Sequence, residues 1–467
     1  MNRSLRAWRP ARAAARTALL AAVALSVSAV SAFAAFNQAA TGGPMSVTTT
    51  SLTAPTGLAA SNPCSSATAV STSLSWTAST STATTGYAIL RSSASAGPFS
   101  SVGTVSGINT TTYTDTVSHA TAADSIYVAV KSANGMDVVS MASNSKTANS
   151  GGANMSSPTN IAVTPDGTKA YVANSATIGG NETVTPITLS NDTAGTPITV
   201  GGSKAPVGIA ITPDGTTAWV GTGGTKTLVP ITVATNTAGT AVSFTFGVNA
   251  VAITPDGTHA WATGAGGAIE SMNTSTHALG TTINAVNGGT SGNMQAIAIS
   301  PDGTKAYITD ASTNKMVWPV TLSGASGTLG TPISLTFAPQ AIAISPDGST
   351  AWVAGATDIV PITGLPGSPV VGTLIPVTGA AFQGIAISPN GCFVYAADAS
   401  ANHQVVAVNA VTKAESTISL STDVAEDIAT AYPPVTYYYE VEGTRNVWTS
   451  PASGQASHAF GQPAQSS

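Results

Sequence analysis

The chain has 467 residues, 43% apolar, 7% charged and 6% aromatic, with a formal net charge of −5. Disordered chains combine low hydrophobicity with high net charge, so this composition excludes a largely disordered protein. No basic cluster follows Arg16, which excludes nucleic acid held by phosphate neutralisation.

Residues 1–34 carry Arg3, Arg6, Arg9, Arg12 and Arg16, then an apolar stretch from Ala18 to Val30, then Ala32-Phe33-Ala34. This is the layout of a signal peptide with a small-x-small cleavage site, and it predicts a secreted or cell-surface protein. A retained anchor is the alternative, because the apolar stretch through Phe36 approaches the ~20 residues that span a bilayer; a membrane is a partner only in that case. Cleavage leaves ten basic against twenty acidic residues. Residues 35–53 read as a linker.

Residues 54–123 follow a different pattern: APTGLAA, SLSWTAS, GYAILRS and TTYTDT. These segments resemble the first five strands of a fibronectin type III sandwich, with Leu58, Trp76, Tyr87 and Tyr113 as core residues. The last two strands of such a sandwich are absent here.

Further along, one phrase recurs: NIAVTPDGTKAYVAN from Asn160, GIAITPDGTTAWVGT from Gly208, AVAITPDGTHAWATG from Ala250, AIAISPDGTKAYITD from Ala296, AIAISPDGSTAWVAG from Ala341 and GIAISPNGCFVYAAD from Gly384. The turn residues Asp166, Asp214, Asp256, Asp302, Asp347 and Asn390 are spaced by 48, 42, 46, 45 and 43 residues, a period that suits four-stranded propeller blades. Each copy is a hairpin: an apolar run, Pro-Asp-Gly, and a second run with an aromatic. Proline presets φ, aspartate bonds its own backbone and glycine accepts positive φ, so the turn aspartates are structural.

A seventh blade is split. Residues 125–155 read as the second, third and fourth strands of a repeat whose first strand is missing, and DIATAY at Asp427–Tyr432 supplies an opening strand with no turn behind it. Joining them gives seven blades over 124–432, each with one aromatic in its second strand: Tyr127, Tyr171, Trp219, Trp261, Tyr307, Trp352 and Tyr395. Large rings fill the gap between twisted sheets. Pro186, Pro230, Pro319 and Pro361 recur in third strands; each removes a ladder hydrogen bond, and a bulge is the expected accommodation.

After the ring, residues 433–457 read as a hairpin that closes the interrupted sandwich, and 458–467 as a flexible tail. The fold class expected is therefore all-β, a seven-bladed β-propeller inserted into a fibronectin type III-like sandwich. The competing reading is flanking: a complete sandwich over 54–148, then a six-bladed ring and a stray hairpin. Insertion requires the guest's ends to lie close together, and a split blade provides that. It also brings the loop holding Cys64 to the propeller face that carries Cys392, so a disulfide between these two cysteines is expected of an exported protein, with two separate thiols as the alternative.

The phrases YVAN, AWVGT, AYITD and VYAAD resemble the YVTN-type repeat of surface-layer-like propellers over about residues 125–432. That resemblance implies a non-enzymatic exported or cell-surface protein that contacts a polymer, glycan or protein partner with a propeller face. A structural surface-layer component and a lactonase- or lyase-type enzyme working at the channel mouth are the alternatives.

Chemistry is sparse. His119, His259, His277, His403 and His458 show no metal-ligand spacing, and no HExxH, CxxC, GxSxG or phosphate loop occurs. No metal, no cofactor and no catalytic residue is expected. Asp310, Asp398 and Asn174 end second strands and read as loop caps. One position carries a binding expectation: where each innermost strand begins, the blades hold Thr159, Val207, Asn249, Gln295, Gln340, Gln383 and Glu426. Amides both donate and accept, so Asn249, Gln295, Gln340 and Gln383, with Glu426, form a partial polar ring suited to a neutral polar ligand such as a sugar. The alternative is that these side chains only bond nearby carbonyls.

Overall fold

The structure is a computed structural model that describes residues 52–61, 64, 70–117, 125–152, 154–201, 206–287, 290–430, 435–445 and 448–460. The expected signal peptide, nearly all of the linker, and His119 lie outside these residues.

Alternating apolar runs punctuated by turns give seven antiparallel sheets, each built from an innermost strand outward. The innermost strands, in blade order, are Ala425–Thr430, Pro158–Val163, Pro206–Ile211, Val248–Ile253, Met294–Ile299, Ala341–Ile344 and Phe382–Ile387. Each contacts the next, and the last contacts the first, so the ring is closed. The fold is all-β, a seven-bladed propeller. Blade 1 combines Ala425–Thr430 with Ser125–Val130, Gly135–Ser140 and Ser145–Gly151, pairing Ala429 with Tyr127 and Thr430 with Ile126. Its opening strand begins two residues earlier than DIATAY suggests, because a register shift after Ala425 admits Glu426 to the strand.

One apolar cluster fills each of the seven interfaces, and each contains a single second-strand aromatic: Tyr127, Tyr171, Trp219, Trp261, Tyr307, Trp352 or Tyr395. All seven are at most 3% exposed. Burying one aromatic per interface stabilises it by about 1.5–3 kcal/mol, so ring closure rests on many equal contributions.

The Pro-Asp-Gly turns interlock. Their glycines hold φ between 67° and 73°, and a Cβ built on Gly215, Gly257, Gly303, Gly348 or Gly391 would lie 3.3 to 3.6 Å from Cδ of Pro165, Pro213, Pro255, Pro301 or Pro346 of the preceding blade. The collar is interrupted at blade 1, which has no such turn.

The third-strand prolines are not accommodated as bulges. Pro186, Pro230, Pro319 and Pro361 stay in register with the second strand. In those four blades the fourth strand is broken into two short pieces, for example Thr193–Ala194 and Ile198–Gly201. Each proline carbonyl accepts the N–H of a glycine at the break, Gly195, Gly239, Gly330 or Gly372, at 2.7 to 2.8 Å. The missing N–H therefore faces outward, and the outer strand peels away there.

Apart from a short ladder of Val286–Asn287 with Thr290–Ser291 between blades 4 and 5, the remaining strands form two further sheets. Thr56–Ser61, Val70–Thr77 and Thr112–Val117 make one; Ser100–Ser106, Gly86–Ser92, Val435–Arg445, Trp448–Ala452 and Ala456–Phe460 make the other. The chain thus leaves this pair of sheets for the propeller and returns, with Tyr87 opposite Gly443 and Ile89 opposite Val441. Leu74, Trp76, Tyr87, Ile89, Tyr439 and Val441 pack between the sheets, with Leu58 and Tyr113 at the margin. Asp115, from the first sheet, accepts from Arg91 at 2.7 Å and from the Tyr439 hydroxyl at 3.0 Å, joining the two sheets.

The closing segment differs from the expected hairpin over 433–457. It provides three strands, and the third runs to Phe460, into the segment expected to be a tail. Val435–Arg445 is eleven residues long, enough to pair with Trp448–Ala452 at one end and Ala456–Phe460 at the other.

Cys64 and Cys392 form a disulfide with Cα atoms 4.9 Å apart. Cys392 follows the blade 7 turn. Blade 1 also receives the chain at Ser125 and releases it at Thr430 on that turn face. The sandwich therefore attaches to the turn face, and the opposite face of the ring is free of the junction.

Candidate functional site

The free face carries the residues singled out in the sequence, and strand pairing explains their exposure. In six blades the register shifts here: Pro158 and Asn160 pair but Thr159 does not, Val207, Asn249, Gln383 and Glu426 are skipped likewise, and blade 5 skips both Gln295 and Ala296. In blade 6, Gln340 sits just before the strand, its N–H bonding Ala354 O at 2.8 Å. A bulge leaves one residue out of the ladder and re-aims its side chain. All seven are half-buried or exposed, while the two residues that follow along the strand are mostly buried.

Their partners differ. Asn249 Nδ2 donates to Met294 O at 2.8 Å, so this amide bonds a neighbouring carbonyl. Glu426 pairs with Lys131 at 3.5 Å. Gln295, Gln340 and Gln383, from consecutive blades, take no side-chain partner among the described residues. Thr159 Oγ1 is buried without a hydrogen bond. One position deeper stand Asn160, Gly208, Ala250, Ala296, Ala341, Gly384 and Asp427. Asp427 is 2% exposed and accepts Ile161 N–H at 3.0 Å. A Cβ on Gly384 would come within 2.7 Å of Asp427 Cα, so only glycine fits beside this carboxylate.

Blade 1 also gathers charges that the repeat pattern does not announce. Lys146 Nζ lies 2.8 Å from Asp137 and 2.5 Å from Asp423, and Asn149 donates to Asp137 at 2.5 Å. Asp137 is fully buried, and its Oδ2 has no partner. Burial pushes the Asp137 carboxyl up despite Lys146 and Asn149. Lys146 is held above its ordinary value: burial opposes its charge, but the two carboxylates outweigh that. The lysine joins Asp137, on the entering side of the split blade, to Asp423, which leads into its last strand.

Asp310 and Asp398 are loop caps. Asp310 accepts the N–H groups of Asn293 and Ser312 at 2.9 and 3.0 Å; Asp398 accepts those of Ala381 and Ser400 at 2.8 and 3.0 Å. Burial would raise both carboxyls, yet these donors hold them below the usual carboxylate range. A depressed folded-state pKa contributes stability above the unfolded value, near pH 4, that is lost as pH falls through the folded one. The urea midpoint should therefore fall on acidification below about pH 4, and less steeply when Asp310→Asn and Asp398→Asn are combined; parallel acid profiles would contradict the assignment.

Among the described residues no group of three His, Cys, Asp or Glu is placed to hold a metal ion. No helix there is long and apolar enough to cross a membrane.

No family model and no curated sequence matches the chain. Solved structures do. A protein of unknown function from Desulfotomaculum acetoxidans DSM 771 superposes with a TM-score of 0.57 at 15% identity, covering 66% of this chain and 99% of that one. A candidate 6-phosphogluconolactonase from Bacteroides fragilis NCTC 9343 gives 0.55 at 14%, over 67% and 99% of the two chains. Another from Bacteroides uniformis ATCC 8492 gives 0.54 at 16%, over 66% and 99%. The likeness is one of fold.

That likeness covers about the share of the chain that the propeller occupies.

Proposed function

We propose that this is an exported or cell-surface interaction protein of the surface-layer-like, YVTN type, in which a fibronectin type III-like sandwich carries the propeller. The free rim contacts an uncharged polar partner, a glycan or a glycosylated polymer. The observation that carries this reading is the run of Gln295, Gln340 and Gln383, three adjacent amides outside the ladder with no side-chain partner among the described residues. The disulfide suits an oxidising compartment.

Each amide hydrogen bond contributes about 0.5–1.5 kcal/mol, so replacing all three glutamines with alanine should weaken retention at least about tenfold. The assay incubates mature protein with its own cell envelope and with a glycan panel. Unchanged retention in the triple variant, or no retention of the parent protein, would count decisively against the rim.

A second reading is favoured by Glu426 and Asp427, two carboxylates at and just below the rim, together with the likeness to candidate 6-phosphogluconolactonases. In it, the propeller hydrolyses a sugar lactone at the same mouth. Turnover of 6-phosphogluconolactone above the spontaneous rate, lost in Glu426→Gln or Asp427→Asn, would replace the binding reading.

A further inference from the structure

On the turn face, at the interfaces leading into blades 2 to 7, the second strand of one blade meets the proline-glycine turn and outer hairpin of the next. The repeats make these interfaces comparable. Between blades 2 and 3, Lys169 Nζ donates to Val233 O at 2.6 Å, and the Tyr171 hydroxyl donates to Asn236 Oδ1 at 2.7 Å. Between blades 6 and 7, Lys413 Nζ stands 4.4 Å from the Trp352 ring centroid and donates to Ala410 O. Val233 and Ala410 hold the same repeat position, just past the third strand, where their N–H groups bond Thr216 O and Cys392 O. Two lysines from different sequence positions thus bring an ammonium to the same carbonyl. Between blades 3 and 4, His277 meets Trp219 edge-on at 5.4 Å.

Among the described residues, the groove between blades 4 and 5 has no such occupant. Leu322, whose N–H bonds Thr304 O, is the counterpart of Val233 and Ala410. His259 stands where blade 2 has Lys169, and its Nδ1 lies 2.8 Å from Thr258 Oγ1. The outer hairpin is shorter, pairing Ser323 with Ser326. It carries Gly324 near the place where the longer blade 3 and blade 7 hairpins carry Asn236 and Lys413, and a Cβ on Gly324 would meet nothing within 4 Å. The result is a cleft of about 380 Å³ lined by Pro255, Asp256, His259, Asp302, Leu322 and Gly324. The Thr254 hydroxyl holds Asp256 below its ordinary value; Asp302 is also held low, by Ser300 and Thr304 against burial. Both are ionised at neutral pH. Blades 4 and 5 lie across the ring from blade 1, away from the sandwich junction.

We propose that this cleft receives a lysine side chain of a protein partner, its ammonium at the Leu322 carbonyl between Asp256 and Asp302, its stem along Pro255 and Leu322. The partner supplies the ammonium that the chain itself supplies in two sister grooves. A cation there gains from two carboxylates, and a lysine stem covers apolar surface while its head stays polar. This site is on the face opposite the rim and stands independently of the rim's function.

The test titrates the full mature protein with n-butylammonium, with Nα-acetyl-lysine methylamide, and with the uncharged Nα-acetyl-norleucine methylamide, following the Thr258 and Gly324 amide resonances. Saturable shifts are expected with the two ammonium probes and not with norleucine. In His259→Lys, the introduced side chain should fill the groove as Lys169 does, weakening both ammonium probes at least about tenfold and raising the melting temperature. Gly324→Asn, tolerated at positive φ, should weaken them as well. No shift with butylammonium, equal shifts with norleucine, or full affinity in both variants would overturn the assignment.

Discussion

Replacing Lys146 with methionine should cost the folded state about 3 kcal/mol, near the lower end for breaking a buried ion pair, because the lysine is partly exposed. Asp137 has no exposed side-chain surface and Asp423 only 12%, while Lys146 has 22%. Without the ammonium, two carboxylates share one pocket. The effect should depend on pH in a defined direction. Burial already holds the Asp137 carboxyl above its ordinary value with Lys146 in place, and removing the lysine raises it further. A folded-state pKa above the unfolded one contributes stability that is complete below the unfolded value and is lost as pH rises through the folded value. The deficit of Lys146→Met should therefore be smallest near pH 4 and grow toward neutrality. Urea melts at the two pH values decide this, and an equal deficit at both would refute it. Adding Asp137→Asn should recover part of the loss at pH 7, since it removes the unpaired charge. Hydrogen exchange should also rise in Ala425–Thr430, the strand that Asp423 leads into.

Combined Cys64→Ser and Cys392→Ser should cost about 2–4 kcal/mol, chiefly by freeing the unfolded chain. The bond spans 328 residues, but strand pairing between Gly86–Ser92 and Val435–Arg445 closes a similar loop in the folded state. The larger consequence is positional. Beside the disulfide, Asn409 Nδ2 reaches Cys64 O at only 3.4 Å. Without the bond, the sandwich should be held less closely against blade 7, raising the radius of gyration in small-angle scattering while propeller exchange protection persists. Identical scattering profiles and melting midpoints in the two forms would show that noncovalent contacts already fix the arrangement.

Much of this fold was legible because a repeat states the same physics six times. Pro-Asp-Gly, or Pro-Asn-Gly in blade 7, marks each turn, a ring marks each interface, and the leftover half-repeats on either side imply a seventh blade. What stayed illegible lacks that redundancy. Asp137 precedes the residue opposite Tyr127, where blades 3, 6 and 7 carry Val229, Val360 and Val406. A lone acid in a split blade gives no hint that Lys146 and Asp423 will meet it. The broken outer strands were missed because a sequence shows that proline lacks an N–H but not which neighbour loses it. The third closing strand was missed because ASHAF has little alternation and gains its partners from the length of Val435–Arg445. At the rim, the spacing of the amides was visible, but the bulges that release them depend on pairing between strands.

Those bulges make the rim an evolvable surface. A residue outside the ladder supplies neither a register pair nor an interface ring, so replacing it leaves the strand pairing and the seven apolar clusters untouched, with the Asn249–Met294 and Glu426–Lys131 contacts as the side-chain bonds at stake. Thr159, Val207, Asn249, Gln295, Gln340, Gln383 and Glu426 already differ in size, polarity and charge, six of them at a register shift and Gln340 just before its strand. Seven nearly independent positions around one opening amount to a combinatorial display, in which recognition can be rewritten residue by residue at little cost to the ring beneath.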